Sequence, residues 1–487
     1  MQVSPHRLIL ANWSIAFMPI RARLTLCFVL FVSSIAVVAC NLGQSLGAQP
    51  AVAAQDTAIA PTYGAVIGGP GNTNTVQVTE TTADTTTPTP SPATATATLP
   101  ATQQAPTQTP TITGTPLPTL VRDVMGIQAY ANLTRTDWRH MLDLAQSMNV
   151  GWIKVQLSWK ELETAKGQFS QQYGVLITNF FDAGKRGLKI LISVAKAPDW
   201  ARPASVRGKN DGPPADPKDL SDFILHMMGE KDLAEGFIHA VEVWNEPNTV
   251  NEWTGAPLTG GAYASLFKPT YQAIRAAFPS DMIVTAGPAP TGDSAGSIND
   301  RTWLQQVYNA GLPITDPNFA IGAHPYGWAN PPDSRCCASP SQGWDNNKIF
   351  FFLDTINDYR AIMTQNKHQG GKLWVTEFGW SSFDGLQVGP QGKIQPALPP
   401  DDPGLAWMKK LNQYQQANYL IRAFQMAQSG DLAGYVGPMF VWNLNFSTLQ
   451  NFTTANAPSR QESGFSVLNA DTSPRPAYNL LQAAPKK

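Results

Sequence analysis

Two glutamates stand where a chain could carry out acid–base and nucleophilic chemistry. Glu246 follows an apolar run in Glu242-Val243-Trp244-Asn245-Glu246-Pro247-Asn248, and Glu377 follows another in Trp374-Val375-Thr376-Glu377-Phe378-Gly379-Trp380. A carboxylate at the end of an apolar run costs desolvation free energy unless it is paired or used. One such group can donate a proton while the other attacks as a carboxylate. The alternative is that each glutamate forms a structural ion pair with a nearby Lys or Arg.

The elements that must position these glutamates begin after Val121, where short apolar runs alternate with helical patterns. The strand candidates are Gly126–Tyr130, Gly151–Trp159, Leu188–Val194, Val241–Glu246, Met282–Gly287, Phe319–His324, Lys372–Phe378 and Tyr435–Leu444. Amphipathic spacing predicts helices in several of the links, at Thr136–Met148, after Tyr173, and at Tyr263–Phe278, Thr302–Ala310, Phe350–Met363 and Gln413–Ser429.

Eight strands alternating with helices predict the α/β class and a parallel sheet closed into a (β/α)8 barrel, the TIM barrel. A doubly wound open sheet is the alternative. It would need a glycine-rich phosphate turn after the first strand, and Tyr130-Ala131-Asn132-Leu133 is not one. In a barrel, the ends of strands four and seven deliver Glu246 and Glu377 to the same mouth.

Trp244-Asn245-Glu246-Pro247 together with Thr376-Glu377-Phe378-Gly379 resembles a clan of (β/α)8 retaining glycoside hydrolases. The clan includes the family 5 cellulase-like and family 39 β-xylosidase-like enzymes, and the resemblance spans roughly residues 124 to 480. It implies that Glu246 is the general acid/base and Glu377 the nucleophile. It also implies that other residues bind sugar or flank the nucleophile, namely Asn245 at the 2-hydroxyl, His324 and Tyr326 beside Glu377, and Trp442 as a stacking platform.

Two phrases resemble the family 39-like branch, Ser158-Trp159-Lys160-Glu161-Leu162-Glu163 and Ala197-Pro198-Asp199-Trp200. One position departs from family 5, because many members carry an Arg near the end of strand two, where this chain has Lys154 and Gln156. Flat sugar faces stack on indole rings. We therefore expect tryptophans at or beyond strand ends to contact the substrate, in particular Trp159, Trp200, Trp380 and Trp442.

These features predict a retaining glycosidase that acts on an extracellular poly- or oligosaccharide, with carboxyl groups about 5 to 5.5 Å apart. The alternatives are a non-catalytic glycan-binding lipoprotein on the same barrel and a transglycosylase. We expect no cofactor, and no metal site, since no CxxC or His cluster with metal spacing is present. Cys336 and Cys337 could form a vicinal disulfide or remain free thiols.

The first forty residues are predicted to be a signal peptide. Arg21 and Arg23 precede an apolar run, Leu24–Val38, which is of signal-peptide length and short for a membrane span. Val37-Val38-Ala39-Cys40 resembles a lipobox, so Cys40 is the expected lipidation site; an uncleaved anchor is the alternative. Translation could start at Met1 or Met18.

Residues 41–120 are predicted to be a disordered linker, because residues 71–120 hold nineteen Thr and eight Pro and almost no large apolar side chains. The catalytic domain is expected at 121–487. The formal charge of −1, from 34 Lys and Arg against 35 Asp and Glu, provides no basic face for nucleic acid. We expect membrane contact only through the N-terminal anchor; the sequence indicates no oligomeric state.

Overall fold

The computed structural model describes residues 116–231, 236–389, 393–430, 432–448 and 460–487. Its central element is a closed barrel of eight parallel strands. The strands are β1 (Met125–Gln128), β2 (Trp152–Ser158), β3 (Lys189–Ala195), β4 (Ile238–Val243), β5 (Met282–Thr285), β6 (Phe319–Ala323), β7 (Lys372–Phe378) and β8 (Val436–Val441). Each strand pairs with its neighbours in sequence, and β8 pairs with β1 to close the barrel. The predicted (β/α)8 fold is confirmed, and the open sheet is excluded.

A helix follows each strand and covers the outside of the barrel. The helices are α1 (Arg135–Ser147), α2 (Gln171–Lys185), α3 (Pro217–Met228), α4 (Gly260–Ala277), α5 (Asp300–Asn309), α6 (Phe352–Gln365), α7 (Gln413–Ser429) and α8 (Pro476–Ala483). Most of them begin at a side chain that accepts a backbone N–H, which satisfies donors left free in the first turn. These capping residues are Thr134, Ser170, Asp216, Thr259, Asn299 and Asn412. Helices α3 and α8 were not among the predicted helices.

The barrel interior changes from apolar to polar along the strands. Its base is filled by large rings and small aliphatic side chains, Trp152, Leu191, Ala240, Val284, Ala320, Trp374 and Phe440. Side chains two residues further along a strand point to the same face. Two residues beyond four of these base positions stand Lys154, Ser193, Glu242 and Thr376. An apolar floor therefore lies beneath a polar layer, which leads to the mouth.

The folded domain begins before residue 121. Leu120 is fully buried; its N–H donates to the carbonyl of Pro485 at 2.8 Å, and its carbonyl accepts from the N–H of Lys487 at 2.9 Å. Leu120, which we assigned to the linker, thus belongs to the barrel domain and joins the two ends of that domain just before β1. The predicted signal peptide, Cys40 and the linker up to residue 115 lie outside the described residues.

Within the described part of the chain, every helix is too short or too polar to span a bilayer.

Candidate active site

Glu246 lies on the loop after β4. The strand was predicted to continue to Glu246, but it ends at Val243 because Trp244 and Glu246 adopt left-handed backbone conformations, with φ of 80° and 40°. Such conformations are unfavourable for residues with a side chain and persist where surrounding contacts hold them. Here the N–H of Glu246 donates to the carbonyl of Gly287 at 3.2 Å, and the Trp244 indole donates to the carbonyl of Glu252 at 3.0 Å. The loop is thereby fixed, and with it the Glu246 side chain.

Glu377 is the penultimate residue of β7 and is fully buried. The Lys154 ammonium donates to its Oε1 at 3.0 Å, and the Tyr326 hydroxyl donates to its Oε2 at 2.8 Å. Hydrogen bonds and a nearby cation both favour a carboxylate over its protonated form. Both carboxyl oxygens of Glu377 are thus engaged by hydrogen-bond donors, one of them a cation.

His324, which directly follows β6, connects the two glutamates. Its Nδ1 lies 3.1 Å from Oε1 of Glu246 and 3.8 Å from Oε2 of Glu377. One atom from each of these three side chains, a ring nitrogen of His324 and a carboxylate oxygen of each glutamate, lies within 4.8 Å of the other two. Gly287 makes room for the ring, since a Cβ at that position would lie 2.4 Å from Cδ2 of His324. The structure thus brings Glu246, Glu377, His324 and Tyr326 together in one cluster.

Two residues without a role in the sequence analysis complete this cluster. Lys154 on β2 is fully buried, and its Nζ lies 3.1 Å from Oε2 of Glu242 on β4 as well as 3.0 Å from Glu377. Glu242 in turn lies 3.7 Å from Nε2 of His324. Lys154 had been identified only as a departure from the family 5 pattern, and it occupies the position of a cation beside Glu377.

The electrostatics of the cluster differ from group to group. Burial raises the pKa of Glu246, and its hydrogen bond to His324 only partly opposes this shift. Burial would also raise the pKa of Glu242, but the charge of Lys154 and the contact with His324 outweigh it and lower that pKa to about 2. Burial disfavours the His324 cation, yet the surrounding carboxylates raise its pKa to about 9. Near neutral pH, Glu246 is thus better able to hold a proton than Glu242.

Several buried polar groups near the carboxyl ends of the strands have no hydrogen-bond partner among the described residues. Both amide atoms of Asn245 and the indole N–H of Trp442 are in this state, and both residues were predicted to bind sugar. The same holds for side-chain atoms of residues to which the sequence analysis gave no binding role, namely Gln128, Gln156, Ser158 and Ser193. Because buried polar groups are nearly always paired, unpaired groups in one region indicate a place for a polar ligand.

An aromatic cluster stands beside Glu377. The Trp442 ring lies 5.9 Å from Tyr326 and 5.0 Å from Phe465, measured between ring centroids, and 5.7 Å from Phe446. Phe446 and Phe465 carry no motif, so sequence reasoning missed them. These aromatic rings hold Tyr326 in place for its hydrogen bond to Glu377.

The structure does not place the other predicted sugar-stacking tryptophans with the glutamates. Trp159 is buried, stacks on Phe223 of α3, and donates its indole N–H to Glu163. Trp380 is buried between the barrel and α6 and donates to the carbonyl of Asn330. Trp200 is partly exposed and packs edge-on against Trp159. The Trp200 indole N–H donates to the carbonyl of Glu163 at 3.1 Å, so all three tryptophans have protein partners for both ring and N–H.

The long loops after β6 and β7 have internal structure of their own. The loop after β6 contains a vicinal disulfide between Cys336 and Cys337, one of the two states left open by the sequence. The loop after β7 contains a short hairpin, which pairs Gln387–Val388 with Gln395–Pro396. The two loops meet where Trp328 packs against Trp407, with ring centroids 5.9 Å apart.

Comparison with one solved structure supports the fold. A family 39 glycoside hydrolase from the gut symbiont Bacteroides cellulosilyticus WH2 superposes with a TM-score of 0.52 at 19% identity, covering 75% of this chain and 63% of that chain. This chain therefore spans less than two thirds of that protein. An endo-beta-1,4-glucanase from Xanthomonas axonopodis pv. citri gives a TM-score of 0.43 at 11% identity, over 74% of this chain and 97% of that chain.

Comparison of sequences identifies the family. None of the curated proteins matches this chain significantly. The family model for cellulase, glycosyl hydrolase family 5, matches residues 109–423, which is more than half of the sequence. With its eight-stranded barrel, the chain therefore belongs to glycosyl hydrolase family 5 and is a glycosidase.

Proposed function

We propose that this glycosidase cleaves O-glycosidic bonds with retention of anomeric configuration, by double displacement. The observation that supports this proposal is the short separation of the two carboxyl groups, with oxygens of Glu246 and Glu377 within 4.8 Å of each other. Retaining enzymes hold their carboxyl groups about 5 to 5.5 Å apart, whereas inverting enzymes leave about 6.5 to 9.5 Å for a water molecule.

The first step divides the work between the two glutamates. Glu246, whose pKa is raised by burial, protonates the leaving oxygen of the glycosidic bond. The ionised carboxylate of Glu377, held by Lys154 and Tyr326, attacks the anomeric carbon and forms a glycosyl ester. The bond to the leaving group breaks as this ester forms.

The second step reverses these roles. Glu246, now a carboxylate, takes a proton from water, and the resulting hydroxide displaces Glu377 from the anomeric carbon. Two inversions give net retention. A sugar hydroxyl in place of water would give transglycosylation by the same residues.

The substrate is proposed to be a poly- or oligosaccharide whose hydroxyl groups pair with the unpartnered polar atoms. The buried Asn245 amide precedes Glu246 directly, and the Trp442 indole N–H lies beside Tyr326. A sugar that carries hydroxyls around its ring offers donors and acceptors to both. The glycan panel on which the enzyme is tested therefore contains β-glucans, xylans and other extracellular glycans.

The stereochemical outcome tests the retaining mechanism. The full chain is incubated with an activated aryl β-glycoside or with a cleaved glycan from the panel, and the anomer released first is followed by proton NMR before mutarotation. We expect the β-anomer from a β-linked substrate. Release of the α-anomer would establish inversion and contradict the proposal. Adding a sugar acceptor and quantifying longer products measures the share of transglycosylation.

We further propose that the enzyme acts outside the cell as a lipid-anchored protein. This proposal is supported by the order of Arg21, Arg23, the apolar run Leu24–Val38 and Cys40, and by the Thr- and Pro-rich composition that follows. Two acyl chains on a cysteine provide stable membrane attachment, whereas a single chain binds only marginally.

Replacing the proposed acylated cysteine should release the protein from the membrane. In Cys40→Ala, no thiol is available for lipidation, so we expect loss of metabolic labelling by a palmitate analogue and a shift from the membrane fraction. Cys27→Ala, inside the apolar run, is the matched control and should keep the label. Identical labelling and fractionation of Cys40→Ala and the unaltered protein would contradict the lipoprotein proposal.

A further inference from the structure

Glu242 is a buried carboxylate beneath the catalytic pair that has no part in the steps above. It lies on β4, two residues beyond the floor residue Ala240, and is fully shielded from solvent. Its Oε1 accepts the N–H of Gly287 at 3.1 Å, and its Oε2 lies 3.1 Å from Nζ of Lys154. A buried charge is stable only when it is paired, so the placement of Glu242 is tied to that of Lys154.

The charges of the cluster balance only if one of its glutamates is protonated. The cluster has two basic groups, Lys154 and His324, both fully buried, and three carboxyl groups, Glu242, Glu246 and Glu377. Two cations neutralise two carboxylates. The contacts of Lys154 distinguish the three, since Glu242 and Glu377 share its Nζ at 3.1 and 3.0 Å, while the ammonium does not reach Glu246 within 4 Å. Glu246 instead lies 3.1 Å from Nδ1 of His324, and a neutral carboxyl group can accept that N–H through its carbonyl oxygen.

We propose that Glu242 is a positioning residue that reserves the proton of this cluster for Glu246. Its negative charge offsets the charges of Lys154 and His324, so that Glu246 is the third, neutral carboxyl group and is ready to act as the acid. This inference rests on the proposed double-displacement function. Without Glu242, two cations would face one carboxylate, and the cluster would lose a proton more readily.

Other titratable groups around Glu242 and Glu246 do not alter this balance near neutral pH. Burial raises the pKa of Glu252 to about 8, so that it is protonated below that pH. Burial keeps the pKa values of Tyr263 and Tyr359 well above the ordinary tyrosine value. The Tyr326 hydroxyl donates a hydrogen bond to Glu377. The charge of the cluster is therefore set by its two basic groups and three carboxyl groups.

The test is a pair of substitutions that change the cluster charge in opposite directions. Glu242→Gln gives the cluster a net charge of about +1, so Glu246 loses its proton at lower pH. The alkaline limb of the kcat/KM profile then moves down by about one pH unit or more. Lys154→Met gives the cluster a net charge of about −1, so Glu246 keeps its proton to higher pH and the alkaline limb moves to higher pH. The double variant restores neutrality, and its limb should lie close to that of the wild type. A purely structural role would lower activity without opposed shifts.

Direct titration of His324 tests the same balance without turnover. In the full chain with 15N-labelled histidine, and with His324→Gln to assign the signal, we expect the ring of His324 to lose its proton at lower pH in Glu242→Gln and at higher pH in Lys154→Met. Because this measurement needs no substrate, it separates the two hypotheses: inactivity on every glycan would contradict the proposed function, whereas an unshifted His324 titration would contradict the role of Glu242.

Two controls complete the experiment. Glu252→Gln makes the same chemical change at another buried glutamate, one that is already protonated below about pH 8, and should leave the kcat/KM profile below that pH unchanged. If Glu242→Gln fails to fold, the double variant, which carries no unbalanced charge, is compared with Lys154→Met. Equal alkaline limbs and equal His324 titrations in these two would overturn the proposal.

Discussion

Replacing Glu377 with glycine is expected to lower kcat by at least about 10⁴-fold, the largest effect of any single substitution in this protein. The change removes the proposed nucleophile and leaves a space in its place. Added azide should occupy that space and attack an activated aryl glycoside directly. A single displacement then gives a glycosyl azide of inverted configuration, which NMR identifies.

The control for Glu377→Gly is Glu252→Gln, which alters a buried glutamate outside the reacting pair and should show neither the loss nor the azide effect. Circular dichroism of both variants checks that the barrel has folded. An azide adduct of retained configuration would exchange the roles of Glu377 and Glu246. Turnover equal to the wild type would remove Glu377 from the mechanism.

Replacing Glu246 with alanine is expected to give a loss that depends on the leaving group. General acid catalysis contributes about 10²- to 10⁴-fold, and the contribution is largest when the departing oxygen is strongly basic. The cleavage rate of natural glycans should therefore fall by the full factor. An activated aryl glycoside, whose leaving group departs without a proton, should still form the glycosyl ester on Glu377 and accumulate it.

The configuration of the azide product distinguishes Glu246→Ala from Glu377→Gly. In Glu246→Ala, azide should intercept the glycosyl ester after the first inversion, and the second inversion gives a product of retained configuration. The measurement compares kcat/KM across aryl glycosides of graded leaving-group pKa, with and without azide. A loss of the same size for every leaving group would argue against Glu246 as the acid.

The barrel could be predicted from the sequence because each strand is a short apolar run bounded by polar residues. All eight strand candidates overlap observed strands. Helix α3 was missed although its signals are present, with Asp216 and Pro217 at its start and Leu220, Phe223, Ile224 and Met227 buried on one face. It lies within a long link between strand candidates, where no helix was assigned.

The central glutamates could be located because strand order determines which mouth they share. The ion pairs around them could not, since they depend on side chains from distant strands. Lys154 contacts Glu377 across a separation of 223 residues, and no local pattern reports this pairing. Glu242 was visible in the motif that contains Glu246, but its partner on β2 was not.

The tryptophans show a second limit of sequence reasoning. Position near a strand end was used to predict sugar contact, and it does not determine which way a ring points. Trp442 lies beside Tyr326, next to Glu377. Trp380 lies two residues beyond its strand, and its ring packs against Phe352 of the outer layer. The distinction is made by packing partners from other elements.

The pairing of Leu120 with Pro485 and Lys487 determines how the domain can be oriented on a surface. Both ends of the described domain meet at the amino ends of the strands, whereas Glu246 and Glu377 lie at the carboxyl ends. A bead or tag joined directly at Leu120 or Lys487 is therefore attached at the end of the barrel opposite the mouth. The mouth then points away from the support, so that a polymer too large to pass between protein and support can still reach it.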